Sequence, residues 1–433
     1  METKSWWKKL KNNPFAQIGA TVLIVFYVVA IFADFVAPYN PIVGQPNGSL
    51  LPPTRIYLRA QGEQGTGQFL GPHVYPTIQG PLDIETGNRN LVVDFDRPSP
   101  IRLFVKGDEY RLFELSIPYF TKISFTEPME LDEFQLFTGI PMSRHLFGPV
   151  GSAAPAPVDA DVEAAEGADA ATATESDILA AVPEESSGEE LTAVQTTPAY
   201  INLLGTDNAA RDIFSRLAFG GRISLSIGLV GTLISFPLGL LIGGISGYFG
   251  GLVDSVLMRV VEVIMIFPTF YLLVSLGAVL PANFGNAERF LFIVFITSFI
   301  GWTGLARIIR GEVLSLKQRN FVQASKSMGG RSLHIITRHI LPQTATYVII
   351  SATLAIPSYI VYEAVLSLVG LGIQEPDPSW GNMLSAGTNA SVLVLNPWLV
   401  WPPAALIMTT VLCFNLLGDG LRDALDPRSL EEQ

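Results

Sequence analysis

The sequence predicts an all-α polytopic membrane protein with six transmembrane helices and a small β-rich extracytoplasmic insert between the first two. Hydrophobic residues make up 49% of its 433 residues and charged residues 15%, and the mean hydropathy is +0.38. This composition is too apolar for an ordinary soluble domain. Six apolar runs are long enough to cross the hydrocarbon layer as helices; they cover residues 18–37, 223–248, 253–280, 290–309, 344–371 and 398–417.

The first element is a cytoplasmic N-terminus, residues 1–17, followed by the first apolar run. Four lysines and two tryptophans precede that run. Such a basic flank predicts that the N-terminus stays in the cytoplasm. A cleaved signal peptide is the alternative, but the run is long for a signal peptide and no clear cleavage site follows it. The sequence therefore favours an uncleaved membrane anchor.

The second element is the insert, residues 41–147, with an acidic linker behind it, residues 148–200. Short β-rich runs separated by Gly, Pro, Asn and Asp predict a small β domain in the insert. Between residues 151 and 200 there are eleven acidic residues and no Lys or Arg, which predicts a disordered tether. This one segment accounts for almost the whole net charge of −12, so the charge does not indicate a nucleic-acid partner.

The third element is the membrane core, residues 205–427, with the five remaining spans. Basic residues cluster at the end of the fourth span and in the loop after it, which predicts that this loop and both termini are cytoplasmic. Arg211, Arg216 and Arg222 lie on the predicted outer side and depart from this pattern. Long loops translocate largely regardless of charge, so the topology tolerates them.

A basic segment, residues 320–342, interrupts the core between two apolar runs. Its residues predict a short helix over 321–328 that Gly329 and Gly330 end, and a second helical run over 333–340 that stops at Pro342. Two interpretations fit these residues. The segment is either a binding site for a cytoplasmic partner or an amphipathic loop held by the phosphates of membrane lipid.

Small residues and charges inside the spans are the other candidate features. A glycine recurs every four positions in and just after the second span, which lets another helix approach closely, either within the protein or at a subunit seam; these are Gly239, Gly243, Gly247 and Gly251. Arg259 and Glu262 are spaced to pair on one helix face, as a structural pair or in a transport role. Glu363 lies deeper in its span, where an unpaired charge is energetically costly. It is a candidate for an interhelical contact or for a contact with a transported solute.

Catalytic patterns are absent from the sequence. There is no phosphate-binding loop that ends in Gly-Lys-Ser/Thr and no Ser/His/Asp or Cys/His constellation. The four histidines lack the spacing of metal ligands, and the single cysteine excludes a disulfide framework. We expect no catalytic residue, no metal and no cofactor in this chain.

Several motifs resemble one family. The basic segment is similar to the EAA loop of ABC importer permeases, with Gln323, Ala324, Ser325, Gly329 and Leu341–Pro342 at the matching positions. Longer stretches resemble the C-type subunit of the dipeptide, oligopeptide and nickel permeases; they read GTDNAARDIFSRLAFGGRISLSIGL, GYFGGLVDSVLMRVVEVIMIFP, LSLVGLGIQEPDPSWGNML and FNLLGDGLRDALDPR. The chain departs from the EAA pattern at Gln323, Ser325 and His339, where the family has Glu, Ala and Ile. The loss of the acid removes one possible charge-assisted contact.

The resemblance implies a non-catalytic permease subunit in a prokaryotic plasma membrane. It implies a second homologous permease, two cytoplasmic ATPases that bind ATP, and an extracytoplasmic solute-binding protein. The residues it assigns to ATPase coupling are Gln323, Ala324, Ser325, Gly329, Arg331, Ile340, Leu341 and Pro342. The insert would contact the binding protein or cap the outer mouth. An ion-coupled secondary transporter and a membrane-anchored receptor or scaffold are the alternatives.

Overall fold

In a computed structural model, the chain is mostly helical, with a β-rich insert after its first long helix. The structure describes residues 3–61, 67–82, 89–122, 130–150, 197–280 and 284–425. The helices are α1 Thr3–Asn12, α2 Pro14–Ile31, α3 Ala33–Val36, α4 Ile213–Phe249, α5 Gly251–Ile266, α6 Thr269–Ala278, α7 Asn286–Leu316, α8 Asn320–Ser327, α9 Ser332–Ile335, α10 Ala345–Leu368, α11 Trp380–Leu384, α12 Ala390–Leu395 and α13 Trp401–Leu425.

Local sequence signals set where the long helices begin and end. Asn13 caps α2, since its side chain accepts hydrogen bonds from the backbone N–H groups of Phe15 and Ala16, and Pro14 opens the first turn. Asp212 caps α4 by accepting from the N–H of Ser215. Gly250, at φ +66°, ends α4 in a backbone conformation that favours glycine.

Five helices in the described part of the chain are long and apolar enough to cross a membrane, and the number is six if one bent pair is a single span. The proline at 268 predicts a kink in the span over 253–280, and the structure divides the span there into two helices, α5 and α6, that meet at 79°. The break lies at Phe267 and Pro268, where proline has no backbone N–H to continue a helix. Helices α4 and α7 exceed their predicted runs, since α4 begins at Ile213 rather than at residue 223 and α7 ends at Leu316 rather than at 309, whereas α10 lies within its predicted run of 344–371.

The long helix α4 lies at the centre of the bundle. Its 37 residues give it a length of about 55 Å, and glycines on its surface let other elements approach closely. Gly228 lies against Ile356 of α10, and Gly221 lies against Trp380 of α11. Gly243 lies against α7. We call the end of the bundle at the start of α4 the insert side, and the end near residue 249 the basic side.

The insert is built from two small sheets. Four antiparallel strands follow the order β1-β2-β5-β6, and β3 and β4 form a separate pair. The strands are β1 Tyr57–Arg59, β2 Phe69–Val74, β3 Thr77–Leu82, β4 Arg89–Val93, β5 Ser99–Lys122 and β6 Glu130–Pro149. Because β2 pairs with β5 only at His73–Pro100 and Val74–Ser99, most of β5 and β6 forms a two-stranded ribbon.

The boundaries of the insert and linker differ from the prediction. Strand β6 continues to Pro149, past residue 147. At the other end of the predicted linker, Ala199 and Tyr200 are buried with Tyr39 and Val74 in one apolar cluster. Their apolar side chains join the core, whereas the acidic stretch over 151–196 lies outside the described residues.

The basic segment also continues further than predicted. Instead of stopping at Pro342, the backbone passes from α9 through a π-helical turn, Ile336–Ile340, and a 3₁₀ turn, Leu341–Thr344, into α10. Proline is tolerated there because it occupies the first turn of the 3₁₀ segment, where its missing N–H is not needed. The segment is therefore joined to the following span by continuous helical backbone.

Candidate functional site

The basic segment has a well-defined turn at its centre. Helix α8 ends in a Schellman motif, in which the N–H of Gly330 donates to the carbonyl of Ser325 (3.0 Å) and that of Gly329 to Lys326 (3.0 Å). Gly329 has φ +82°, so a side chain at this position would be strained. The glycine pair therefore fixes the angle between α8 and α9.

Buried apolar side chains anchor the segment to the spans. Val322, Ile335 and Ile340 are at most 1% exposed. They pack in one cluster with residues of α4 and α7, among them Phe236, Ile309 and Val313. A displacement of the segment is therefore transmitted to the two spans against which it packs.

The exposed face of the segment differs from the residue set that the sequence assigned to it. The members of that set that are exposed are Gln323, Ala324, Gly329, Arg331 and Pro342, whereas Ser325 and Ile340 are buried and Leu341 is half-buried. Gln323 donates through Nε2 to the carbonyl of Lys317 (2.9 Å) and so binds the end of α7. The buried members support the segment rather than presenting a surface.

Three exposed apolar side chains were missed by the sequence reasoning. Phe321 is 43% exposed, Met328 81% and Leu333 60%. They lie on α8, the turn and α9, and exposed Lys326 and Arg331 belong to the same segment. We call these three residues the apolar patch. Its signal in the sequence is the presence of several large apolar residues within a short basic stretch.

The predicted glycine ridge lies against α7 within the protein. A Cβ atom added at Gly239, Gly243 or Gly247 would come within 2.9, 2.5 and 2.8 Å of the carbonyl oxygens of Trp302, Ala306 and Arg310 respectively. Backbone contacts this close exclude any side chain. The prediction is wrong for Gly251, which has φ +57° and lies in α5, where an added Cβ atom would meet no atom within 4 Å. It takes part in the turn after α4 and not in helix packing.

The intramembrane charges differ in environment. Arg259 and Glu262 form an exposed pair at 2.9 Å on α5. Glu363 is fully buried and accepts hydrogen bonds from Ser224 of α4 (3.1 Å) and Ser367 (2.8 Å). Ser224 in turn accepts from the backbone N–H of Trp380 (3.1 Å). Glu363 therefore lies at an interhelical contact that joins α4, α10 and α11.

A network of four charges lies on the insert side; we call it the outer charge network. Arg211 contacts Asp207 (2.8 Å) and Glu375 (2.5 Å), and Arg216 contacts Glu375 (2.9 Å) and Asp207 (3.5 Å). These contacts neutralise Arg211 and Arg216, two of the three arginines that departed from the predicted charge pattern, and the third, Arg222, pairs with Asp34 (2.5 Å). A cavity of about 190 Å³ is bordered by all four charged residues. The sequence reasoning missed the network because Glu375 is far along the chain from the other three members.

The insert joins the core through buried polar contacts. Gln45 and Asn202 exchange two amide hydrogen bonds (2.8 and 2.9 Å), and both residues are at most 3% exposed. The two ring nitrogens of His145 lie 2.6 Å from the carbonyl oxygen of Ala37 and 3.2 Å from that of Asp108. These contacts hold the insert firmly on the end of the bundle.

Asp212 lies at this joint with one oxygen unsatisfied. Its Oδ2 accepts from the N–H and the hydroxyl of Ser215 (2.8 and 2.6 Å). Its Oδ1 is buried and has no hydrogen-bond partner among the described residues. Burial raises the pKa of the carboxyl to about 7, although the hydrogen bonds from Ser215 oppose the shift.

Comparison with known proteins gives two family matches. Residues 237–431 match the family described as "Binding-protein-dependent transport system inner membrane component". Residues 3–53 match "N-terminal TM domain of oligopeptide transport permease C". The stretch between them, which contains most of the insert, belongs to neither match.

Individual relatives match somewhat more than half of the chain. The oligopeptide transport system permease protein OppC of Haemophilus influenzae is 42% identical over 246 residues, which is 57% of this chain and 76% of the relative. The dipeptide transport system permease protein DppC of Bacillus subtilis is 39% identical over 240 residues, or 55% and 73%. A solved structure entitled "Inward facing conformations of the MetNI methionine ABC transporter" covers 49% of this chain at 18% identity, with a TM-score of 0.39, and no conclusion rests on it.

Proposed function

The chain belongs to the family of binding-protein-dependent transport system inner membrane components, and from this premise we propose that it forms half of the translocation pathway of an ABC importer for peptides. It corresponds to the C-type permease subunit, as its relatives in two bacteria do. Neither an ion-coupled transporter nor a membrane-anchored receptor or scaffold has support among the relatives.

The proposed arrangement in the membrane has six spans. The bent pair α5 and α6 counts as one broken span, and the five longer helices supply the rest. Both termini and the basic segment lie in the cytoplasm, and the insert lies outside, in keeping with the basic flank of α2 and the basic residues after α7. The membrane is the prokaryotic inner membrane.

Partner subunits supply what this chain lacks. Two cytoplasmic ATPases bind and hydrolyse ATP, a second homologous permease completes the pathway, and an extracytoplasmic binding protein delivers the solute. The chain itself is not an enzyme and holds no cofactor. The insert, fixed to the outer end of the bundle, lies where a binding protein would dock.

The apolar patch is the observation that best supports coupling of this chain to the ATPases. Large apolar side chains that are exposed outside the membrane indicate a surface covered by another protein. The same segment is anchored to α4 and α7 by Val322, Ile335 and Ile340, so an ATPase that moves the patch also moves the spans. ATP binding would in this way bias the spans between two states.

Co-purification tests this role. Met328→Glu and Leu333→Glu, made singly in the full chain expressed with its partner subunits, place a carboxylate in the proposed interface. Burying an unpaired charge costs several kcal/mol, so we expect the ATPases recovered with the permease to fall more than about tenfold.

The matched control is Val150→Glu, at an apolar residue that is 40% exposed at the end of the insert. This variant should retain the ATPases. Equal recovery of the ATPases with all three variants would mean that the apolar patch is not their binding surface.

A further inference from the structure

We propose that the outer charge network is a carboxylate-binding site in which Glu375 is a displaceable internal ligand. The substrate class is the C-terminal carboxylate of a peptide, and this identification rests on the proposed function. Three observations lead to it: the two acids are held very differently, one arginine is almost fully buried, and a cavity adjoins the charges.

The two carboxylates are unequal. Asp207 accepts from the backbone N–H groups of Ala209 and Arg211 (both 2.9 Å) and from Nε of Arg211 (2.8 Å), all within one turn of chain. Its side chain is 13% exposed. Glu375 is 55% exposed, and among the described residues its carboxylate is bound by the two guanidinium groups alone. Asp207 is therefore a fixed part of the site, whereas Glu375 is held as an exposed ion-pair partner.

The arginines require an anion in the position of Glu375. The side chain of Arg216 is 2% exposed and that of Arg211 is 12% exposed. Without Glu375, two poorly hydrated guanidinium groups would share one carboxylate and leave a net positive charge in a buried place, which is strongly unfavourable. The two arginines need an anion at this position, and the Glu375 carboxylate is itself 55% exposed, so another carboxylate of similar geometry can replace it.

The adjoining cavity has the volume and the lining residues to accept the C-terminal end of a peptide. Its volume is about 190 Å³. Besides the four charges it is bordered by the polar residues Asn208, Asn382 and Ser385 and by the apolar side chains of Ile213, Met383 and Leu399. A carboxylate bound by the arginines would therefore have an apolar wall for the side chain next to it.

Displacement of Glu375 would have a mechanical consequence. Glu375 lies in the loop between α10 and α11, and its contacts with Arg211 and Arg216 tie that loop to the start of α4. A carboxylate that takes over both arginines releases the loop from α4. Arrival of a chain end on the insert side is thereby linked to the position of the loop.

Binding of a small probe to the full complex in lipid nanodiscs tests the proposal. The probes are N-acetyl-alanine, its C-terminal amide and acetate, and titration calorimetry measures the affinity of each. In Glu375→Gln the internal competitor is neutral, so we expect N-acetyl-alanine to bind about tenfold more tightly than it binds wild type. The amide should bind to neither protein, and acetate should bind more weakly than N-acetyl-alanine.

Two further variants complete the design. Arg211→Gln, added to Glu375→Gln, should reverse the gain in affinity. Glu262→Gln removes the acid of the exposed Arg259–Glu262 pair elsewhere and should behave as wild type. Unchanged affinity in Glu375→Gln, equal binding of acid and amide, or equal binding of acetate would each overturn the peptide-carboxylate site.

Uptake of a labelled peptide, measured on the same preparations in liposomes, separates this proposal from the proposed function. If ATP-driven uptake is present but the variants do not discriminate acid from amide, the carboxylate site is wrong and the importer assignment stands. If carboxylate binding follows the expected pattern while uptake needs no ATP, the importer assignment fails and the site remains.

Discussion

Asp212 lies where the chain returns from the insert and enters α4. It caps α4, since its side chain accepts a hydrogen bond from the N–H of Ser215. Its burial could not be predicted, because it depends on residues 39 and 200–206 folding over the start of the helix. The structure thus turns an ordinary capping residue into a titrating group.

The first prediction concerns the pH dependence of stability. The folded state keeps the Asp212 proton until about pH 7, whereas the unfolded chain releases it near the ordinary value of 3.8. Wild type should therefore lose stability as pH rises from 4 to 7, relative to Asp212→Asn, which retains the cap without a charge. Thermal unfolding in detergent at several pH values measures the difference. Parallel pH profiles for the two proteins would show that Asp212 does not titrate in this range.

Gly243 is the second residue at which local geometry makes a sharp prediction. A Cβ atom there would lie 2.5 Å from the carbonyl oxygen of Ala306, so Gly243→Ala must push α4 and α7 apart. We expect a loss of about 1–3 kcal/mol in the free energy of unfolding. In Gly304→Ala, on α7, the new methyl group meets open space, and stability should be unchanged or higher by up to about 1 kcal/mol. Equal thermal stability of the two variants would contradict the packing.

At the scale of elements, the sequence predicts the long helices better than their breaks and junctions. Hydropathy locates α2, α4, α7, α10 and α13 because a span needs about 20 apolar residues. The proline at 268 predicts a kink, and the structure has a break of 79° there. The continuous helix through Pro342 was not predicted, since the effect of a proline depends on whether neighbouring turns can do without its N–H. The apolar patch was missed because its three residues are separate in sequence.

The insert joint gives the element-scale prediction. Asn202→Leu leaves the buried amide of Gln45 without partners, which costs about 1–3 kcal/mol. We expect the joint to open more often, and limited proteolysis should then cleave the chain near residues 45–54 faster. Replacing both residues by Leu removes the unsatisfied amide and should recover part of the protection. If the double variant were cleaved as fast as the single one, the amide pair would not be the source of the effect.

At the scale of the whole molecule, the two candidate functional surfaces lie at opposite ends of α4. The apolar patch lies on the basic side, and the outer charge network lies on the insert side. One helix of about 55 Å joins them, with glycine contacts to α7 that leave no space for independent movement. A change at either end is therefore expected to reach the other as a shift of packed helices.

Recognition of the permease class needed only the motifs of the core, whereas the insert and the outer charge network needed the fold. Motifs such as the basic segment are contiguous, so they can be read directly. Asp207, Arg211, Arg216 and Glu375 become one site only after the loop before α11 folds against the start of α4. Long-range pairing of this kind leaves no periodic signal in a single sequence.

Measuring which energy source drives uptake tests most directly whether the chain works in an ATP-driven importer. Uptake of a labelled peptide would be measured in liposomes that contain the full complex, with and without ATP on the side of the ATPases, and with imposed proton or sodium gradients. We expect uptake that requires ATP and the binding protein, and that is lost when Met328→Glu and Leu333→Glu are combined. Uptake that an ion gradient drives without ATP, and that this double variant leaves unchanged, would contradict the importer assignment.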